Sequence, residues 1–288
     1  MRAAVPLGLA AMGELVVQRA GVINIGIEGI LAVGALVAYV VAESFGPGVA
    51  MGAGAAVGIV VSAVFAVLVV RVRAHQVIAG TAIAMLGLGL SAAGHRLLDH
   101  SGPAVSTITA VDVPLLADLP VLGRVLFAQQ WPFYVMVAGL GVVAWTLRRT
   151  TLGVVLRACG DAPAAVRGAG RSIDAVRAGA IMFGGACAGA AGAFLVVGQA
   201  GVFVEGMSAG RGFIAIAIVA LGRWSVPGVA IATVIFGLAS SLQFAVQALG
   251  ATVPYNLVLG APYALTLLLL PLTRGAGSSP RVLGSHGE

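Results

Sequence analysis

Apolar runs of membrane-crossing length recur along almost the whole chain and leave it few folds. A helix needs about 20 apolar residues to cross a hydrocarbon core. Windows of roughly that length fall at 3–18, 26–42, 48–70, 76–94, 127–147, 178–198, 203–222, 227–247 and 254–271. Of the 288 residues 60% are hydrophobic and 9% charged, whereas soluble domains carry about 25% charged residues. The sequence therefore predicts an all-α polytopic transmembrane helix bundle of about 8–10 spans, some broken or re-entrant. No cleaved signal peptide is expected, because the first run leads straight into more membrane. That run is short, so either it tilts into a break at Gly21 or the chain starts upstream of Met1. The expected organisation is a transmembrane domain over 1–271 and a flexible cytoplasmic tail over 272–288.

All sixteen basic residues are arginine, a usage that reads as GC-rich coding bias. The absence of lysine excludes a P-loop, which needs its lysine on the phosphates. Cys159 and Cys187 lie in unlike settings and the four histidines are scattered, so no metal or disulfide spacing exists. The net charge of +6 belongs to membrane topology and not to nucleic acid, because the arginines are spread over loops. If the 148–177 segment is cytoplasmic, that face holds Arg71, Arg73, Arg148, Arg149, Arg157, Arg167, Arg171, Arg177, Arg223, Arg274 and Arg281. The opposite face holds Arg96, Arg124 and Arg211, with Glu43, Asp99, Asp112, Asp118 and Glu205. An excess of positive loops inside sets the orientation, which makes 95–126 an extracytoplasmic loop.

Small residues recur every fourth position at Gly54 and Gly58, at Gly184, Ala188 and Gly192, and at Gly185, Gly189 and Ala193. Such rows let helix backbones approach closely in lipid and predict a tight bundle. "GMSAG" (206–210) matches a serine-hydrolase pattern, but no histidine follows it until His286. No catalytic residue and no cofactor are expected.

Polar groups at membrane depth are the informative exceptions. In "RAGVINIGIEGI" (19–30), Arg19, Asn24 and Glu28 interrupt two apolar runs, and Glu14 precedes them. A charge near the bilayer centre costs about 2.5–3.5 kcal/mol on insertion scales. These groups should therefore face a cavity, the bundle interior or one another. Asn24 and Glu28, four apart, are expected on one helix face. A structural ion pair or hinge and a direct solute contact both remain open. A second interruption, "VEGMSAGRGF" (204–213), precedes an apolar piece of only ten residues. Two broken segments, one in each half, point to transport.

The 148–177 segment contains "RACGDAPAAVRGAG" (157–170). Asp161 with Pro163 suits a helix start, Ala164, Ala165 and Val166 a short helix, and Gly168 and Gly170 its end. Such a helix suits docking of another protein or serves as a solvated connector.

"GELVVQRAGVINIGIEGILAVGA" (13–35) resembles the signature of permease subunits of bacterial ABC importers of the branched-chain amino acid, ribose and nucleoside group. "MSAGRGFIAIAIVALGRWSVPGVAIATVIFGL" (207–238) is similar to a second signature, closest to nucleoside and simple-sugar permeases. "TTLGVVLRACGDAPAAVRGAG" (150–170) resembles their cytoplasmic coupling loop. The chain departs from the group's pattern at His75, Ala84, Ala162 and Arg171. The resemblance implies a permease in the bacterial inner membrane, forming half of a path for a nucleoside or simple sugar by ATP-driven alternating access. It implies a cytoplasmic ATPase subunit, a second homologous or identical permease and an extracytoplasmic solute-binding lipoprotein as partners, in a lipid membrane. Coupling to the ATPase would fall to Asp161, Pro163, Ala164, Ala165 and Gly170. Gating or the pathway itself would fall to Arg19, Asn24, Glu28, Gly210, Arg211 and Gly212. The competing readings are an ion-coupled secondary transporter, a branched-chain amino acid permease and a purely structural membrane subunit.

Overall fold

Helix α1 (Ala4–Arg19) is apolar all round, and every residue from Ala4 to Leu15 is buried. A helix without a polar face belongs at the centre of a bundle, and α1 packs against five other helices. This is a computed structural model, which describes residues 1–97, 104–112, 127–248 and 279–284. The expected span at 254–271 and most of the 95–126 loop lie outside the described residues.

Helix α2 (Ile27–Ala66) is interrupted at Gly46, where φ is 78° and ψ is 173°, and Pro47 follows. Only glycine adopts that backbone readily, and the chain folds back there. Gly34 of the first arm meets Gly54 of the second, so that a Cβ on Gly54 would lie 3.2 Å from the Gly34 carbonyl oxygen. The two windows 26–42 and 48–70 are thus two arms of a helical hairpin. The second arm runs on as a π-helical turn, Val67–Arg71.

Four helices and a small sheet follow. Helix α3 spans Gln76–Leu97, α4 Trp131–Arg149, α5 Thr151–Asp161 and α6 Pro163–Gly168. Strands β1 (Ala110–Asp112) and β2 (Ala128–Gln130) pair antiparallel, with Ala110 opposite Gln130. They form a small hairpin that the sequence pattern did not announce. Helix α7 is Ile173–Phe194, continued by a π-helical turn, Leu195–Ala200, and α8 is Arg211–Leu221. Helix α9 is Val226–Ala248. Thr150 and Ser172 cap α5 and α7 by accepting the amides of Gly153 and Ala175, as hydroxyls at helix starts do.

Helix α7 lies between the arms of α2 and against α1, in backbone contact with all three. A Cβ on Gly34 would lie 2.6 Å from the Gly189 carbonyl oxygen, and one on Gly54 2.9 Å from the same atom. On its other side, a Cβ on Gly13 would lie 3.0 Å from the Gly184 Cα. The 184–192 row meets α1 at Gly184 and the first arm of α2 at Gly192, and the 185–193 row meets both arms of α2. Contact at this distance maximises dispersion, the main attraction available between helices in lipid. Helix α3 packs by the same device, Gly87 against Gly29, and turns Ile78, Met85, Leu86 and Leu90 outward.

The 203–222 window is not one span. Residues 201–210 are non-helical, and only the eleven residues of α8 form a helix. Four helical stretches, Ile27–Arg71, Gln76–Leu97, Trp131–Arg149 and Ile173–Ala200, are long and apolar enough to cross a membrane among the described residues. The connections at 71–75 and 223–225 and the 148–177 segment with its short helices gather with residues 19–23 at one arginine-rich end. There Arg177 Nε donates to the Ala20 carbonyl and the Ile23 amide donates to Gln76 Oε1. Arg96, Glu205, Gln199 and Gln130 lie toward the other end, where Gln199 donates to the Arg2 carbonyl. Within the stretch expected as a flexible tail, residues 279–284 turn against α5, and the Val282 amide donates to the Gly160 carbonyl at 3.0 Å.

The glycine seam predicts a sharp contrast between two alanine substitutions. Gly189→Ala forces a methyl into the Gly54 backbone and should destabilise by about 1–3 kcal/mol or more. Gly141→Ala, whose methyl meets nothing within 4 Å, should not. Thermal melting of the detergent-solubilised protein reads both, and equal melting temperatures would refute the seam.

Candidate functional site

After Arg19 the chain does not simply turn at the membrane surface. Residues 20–26 re-enter the bundle without forming helix. The Asn24 amide reaches back to Glu14 Oε1 at 3.3 Å, five residues down α1, or about 7.5 Å at 1.5 Å per residue. Helix α2 starts only at Ile27, with Gly26 as its N-cap. Asn24 therefore lies outside the helix and does not share a helical face with Glu28, contrary to the four-residue spacing. The side chain of Asn24 is buried, and its Oδ1 has no partner among the described residues.

Side chains from distant parts of the chain fix this break. Gln18 Nε2 donates to Glu14 Oε1 at 2.9 Å, and Gln18 Oε1 accepts the Trp224 indole N–H at 2.7 Å. Arg19 Nε donates to the Trp224 carbonyl at 2.7 Å. Arg223 and Trp224 both hold positive φ, at 54° and 50°. Strain of that kind persists only where surroundings over-determine it, and Trp224 is held at both its indole and its carbonyl. Gln76 Oε1 accepts the Ile23 amide at 3.0 Å.

Glu28 is 3% exposed. The glycines around it pack on Ile83 and Ala84, about 10 Å along α3 from its first residue at 1.5 Å per residue. Its partner among the described residues is the start of α8. Oε1 accepts the Gly210 amide at 2.8 Å and Oε2 the Gly212 amide at 2.7 Å. A carboxylate there meets the positive end of the helix dipole and satisfies two orphan donors. The Gly-Arg-Gly order follows from this geometry. Gly210 has φ 74°, and a Cβ on Gly212 would lie 2.7 Å from the Glu28 amide nitrogen. Arg211, expected on the face opposite the arginine-rich one, instead sits at this junction, half-buried, with its guanidinium donating to the Met207 and Ser208 carbonyls. The reason is that α8 begins inside the bundle and not at its surface.

The short helix read between Asp161 and Gly170 is present as α6, with Pro163 at its first position. Ala164 and Ala165 are exposed, Gly170 holds φ 69°, and Val166 points inward. Val166 joins Cys159 and Ile173 in a small apolar cluster separate from the main core. Burial pushes the Cys159 thiol up, opposed by the Arg177 charge. That guanidinium also donates to the Cys159 carbonyl at 3.5 Å and to Ala20 at 3.2 Å. One arginine thus links α5 to the first break.

At the opposite end Arg96 forms two 2.8 Å bonds with the Glu205 carboxylate, which hold that carboxyl below its ordinary range. The pair is exposed and contributes little stability, but it ties α3 to the 201–210 segment. His95 and Phe203 pack nearby with ring centres 4.9 Å apart and planes tilted by 50°. "GMSAG" forms turns before α8, and the Ser208 hydroxyl is buried without a partner among the described residues. Sequence reasoning missed Gln18, Gln76 and Trp224. Gln18 was reachable from its four-residue spacing to Glu14. The other two act across 53 and 206 residues, beyond any local signal.

Residues 1–270 match the protein family described as branched-chain amino acid transport system / permease component. A putative glucose ABC transporter permease of Haloferax volcanii is 34% identical over 264 residues, covering 89% of this chain and 79% of its own. A guanosine ABC transporter permease of Bacillus subtilis is 30% identical over 98% of this chain and 92% of its own. A nucleoside ABC transporter permease of Lactococcus lactis is 29% identical over 97% of this chain and 92% of its own. No solved structure matches the chain.

Glu28→Gln keeps the shape but removes the charge that accepts both α8 amides. Hydrogen bonds to charged groups are worth about 1.5–3 kcal/mol, so the variant should lose on that order of stability. Glu28→Ala, which leaves both donors unpaired, should lose more. Melting temperature and membrane expression level measure this, and a Gln variant equal to the parent in both would remove any structural role for the charge.

Proposed function

The chain belongs to the family of permease components of branched-chain amino acid transport systems, and on that premise we propose that it conducts a nucleoside, with a simple sugar as the next candidate. It is the transmembrane permease subunit of an ABC importer, a multi-pass membrane protein and not an enzyme, and ATP hydrolysis belongs to a separate subunit. The observation that carries the solute class is that two relatives matched over nearly the whole chain are named for nucleoside and guanosine transport. An ATPase and a solute-binding protein are its general partners. A second permease, homologous or identical, would complete the path.

In this reading the arginine-rich end faces the cytoplasm, as positive loops do. Helix α6 offers Ala164 and Ala165 to the ATPase, with Asp161 and Gly170 bounding the docking segment. The apolar cluster of Val166, Cys159 and Ile173 makes α6 move with α5 and α7. Arg177 passes that motion to Ala20 and the first break, and Glu28 passes it to α8. Arg19, Asn24 and Glu28 on one side, and Gly210, Arg211 and Gly212 on the other, then form a joint between two re-entrant pieces. Alternating access follows as a rocking of packed units about that joint. Both Glu28 oxygens are engaged by backbone, which favours a gating role for this residue over solute contact.

Replacement of both Ala164 and Ala165 by Trp tests the coupling assignment in vesicles that also contain the partner subunits. Solute-stimulated ATP hydrolysis should fall to the unstimulated rate while the permease stays folded and inserted. Normal stimulation would overturn the assignment. Gradient-driven, ATP-indifferent uptake by the purified chain alone would replace the importer with an ion-coupled carrier. A binding screen of nucleosides, pentoses and branched-chain amino acids against the genetically linked binding protein tests the solute.

A further inference from the structure

Between the end of α2 and the start of α7, two adjoining cavities have opposite chemistry. The first, of about 260 Å³, is lined by Arg73, Arg167, Arg171 and Arg177, with Asp174 as its one carboxylate and Gln76 beside it. The second, of about 490 Å³, is lined mainly by Ala63, Ala66, Val67, Ala178 and Met182. Val70, Ser172 and Asp174 line both, so the two adjoin. Arg71 lies on the rim of the second. The apolar cavity opens on the outward face of the bundle, where Val67 is 53% and Met182 38% exposed.

We propose that this composite cavity binds an anionic phospholipid, with its phosphate among the four guanidiniums and an acyl chain in the apolar groove. Four cationic groups against one carboxylate leave a strong positive excess, and guanidiniums match phosphate oxygens with paired N–H donors. Basic pockets between transmembrane helices, at the level of the headgroups, recognise anionic lipids in this way. Arg177 is fixed in place by the Ala20 and Cys159 carbonyls. Arg73 holds φ 58°, a conformation rare for a side-chain-bearing residue. An acidic peptide would use the basic half alone and leave the groove uncovered, whereas a phospholipid fills both. Pro163 and Arg167 of α6 line the basic half, so a lipid there would brace the segment assigned to ATPase docking. The site requires only that the chain is embedded in a membrane, and it is independent of the solute.

Native mass spectrometry of the full chain, alone and with its ATPase, tests this after exchange into equal amounts of phosphatidylglycerol and phosphatidylcholine with the same acyl chains. Phosphatidylglycerol should be retained on the order of tenfold over phosphatidylcholine. The double variant Arg73→Gln, Arg171→Gln should abolish that preference. Ala178→Trp, which fills the groove and leaves the arginines intact, should weaken retention of either lipid. Equal retention of the two lipids by the parent protein overturns the proposal, as does a preference that survives both variants. Displacement of the lipid by inorganic phosphate with Ala178→Trp silent would reduce the cavity to a free-phosphate site. Loss of the lipid whenever the ATPase is present would make it a protein-docking surface.

Discussion

Within a hydrocarbon layer no water is available to the peptide group, so every amide freed by a broken helix must find a partner inside the protein. Among the described residues two non-helical stretches re-enter the bundle, at 20–26 and at 201–210, and several buried polar side chains are the partners those breaks require. Glu14 takes the Asn24 amide, Gln76 that of Ile23, and Glu28 those of Gly210 and Gly212. Gln18 and Arg19 hold the strained turn at Trp224. What looks in the sequence like contamination of apolar spans is the set of acceptors and donors that makes re-entrant backbone tolerable.

The breaks hold only because the helices around them are rigidly placed. Helix α7 touches both arms of the α2 hairpin and α1 through glycine backbones, and α3 touches α2 through Gly87 and Gly29. Contacts of backbone on backbone leave no side chain to adjust, so these elements behave as one body. The segment proposed for docking is built differently. Val166 of α6 stands on a small separate cluster with Cys159 and Ile173, and α5 meets the body where Gly160 lies against the Arg19 carbonyl and where Arg177 donates to Ala20 and Cys159. A rigid core with a polar joint between its two breaks suits a permease.

Much of this was legible in residues alone. The apolar windows found most of the helices, Gly46 with Pro47 sits at the break between two of them, and the four-residue glycine rows named the seam. Pro163, the alanines and Gly170 outlined α6. Among the described residues the arginines expected at the arginine-rich end gather there and Arg96 lies at the other, but Arg211 lies at neither. That residue was misplaced because an apolar window of span length, 203–222, hides a helix of half that length that begins inside the bundle. Asn24 and Glu28 were put on one face because spacing assumes a helix that had not yet begun.

By itself the sequence determined that the chain lives in a membrane as a helix bundle, which end is arginine-rich, and that two stretches could not be plain spans. Those follow from composition and local spacing, because transfer energies and helix periodicity are properties of neighbouring residues. Only the tertiary structure decided that the two interruptions are halves of one junction, with the Glu28 carboxylate seated on the start of α8. That contact joins residues 182 and 184 positions apart. Hydrogen-bond partners at such separation are chosen by packing, and no local pattern encodes them.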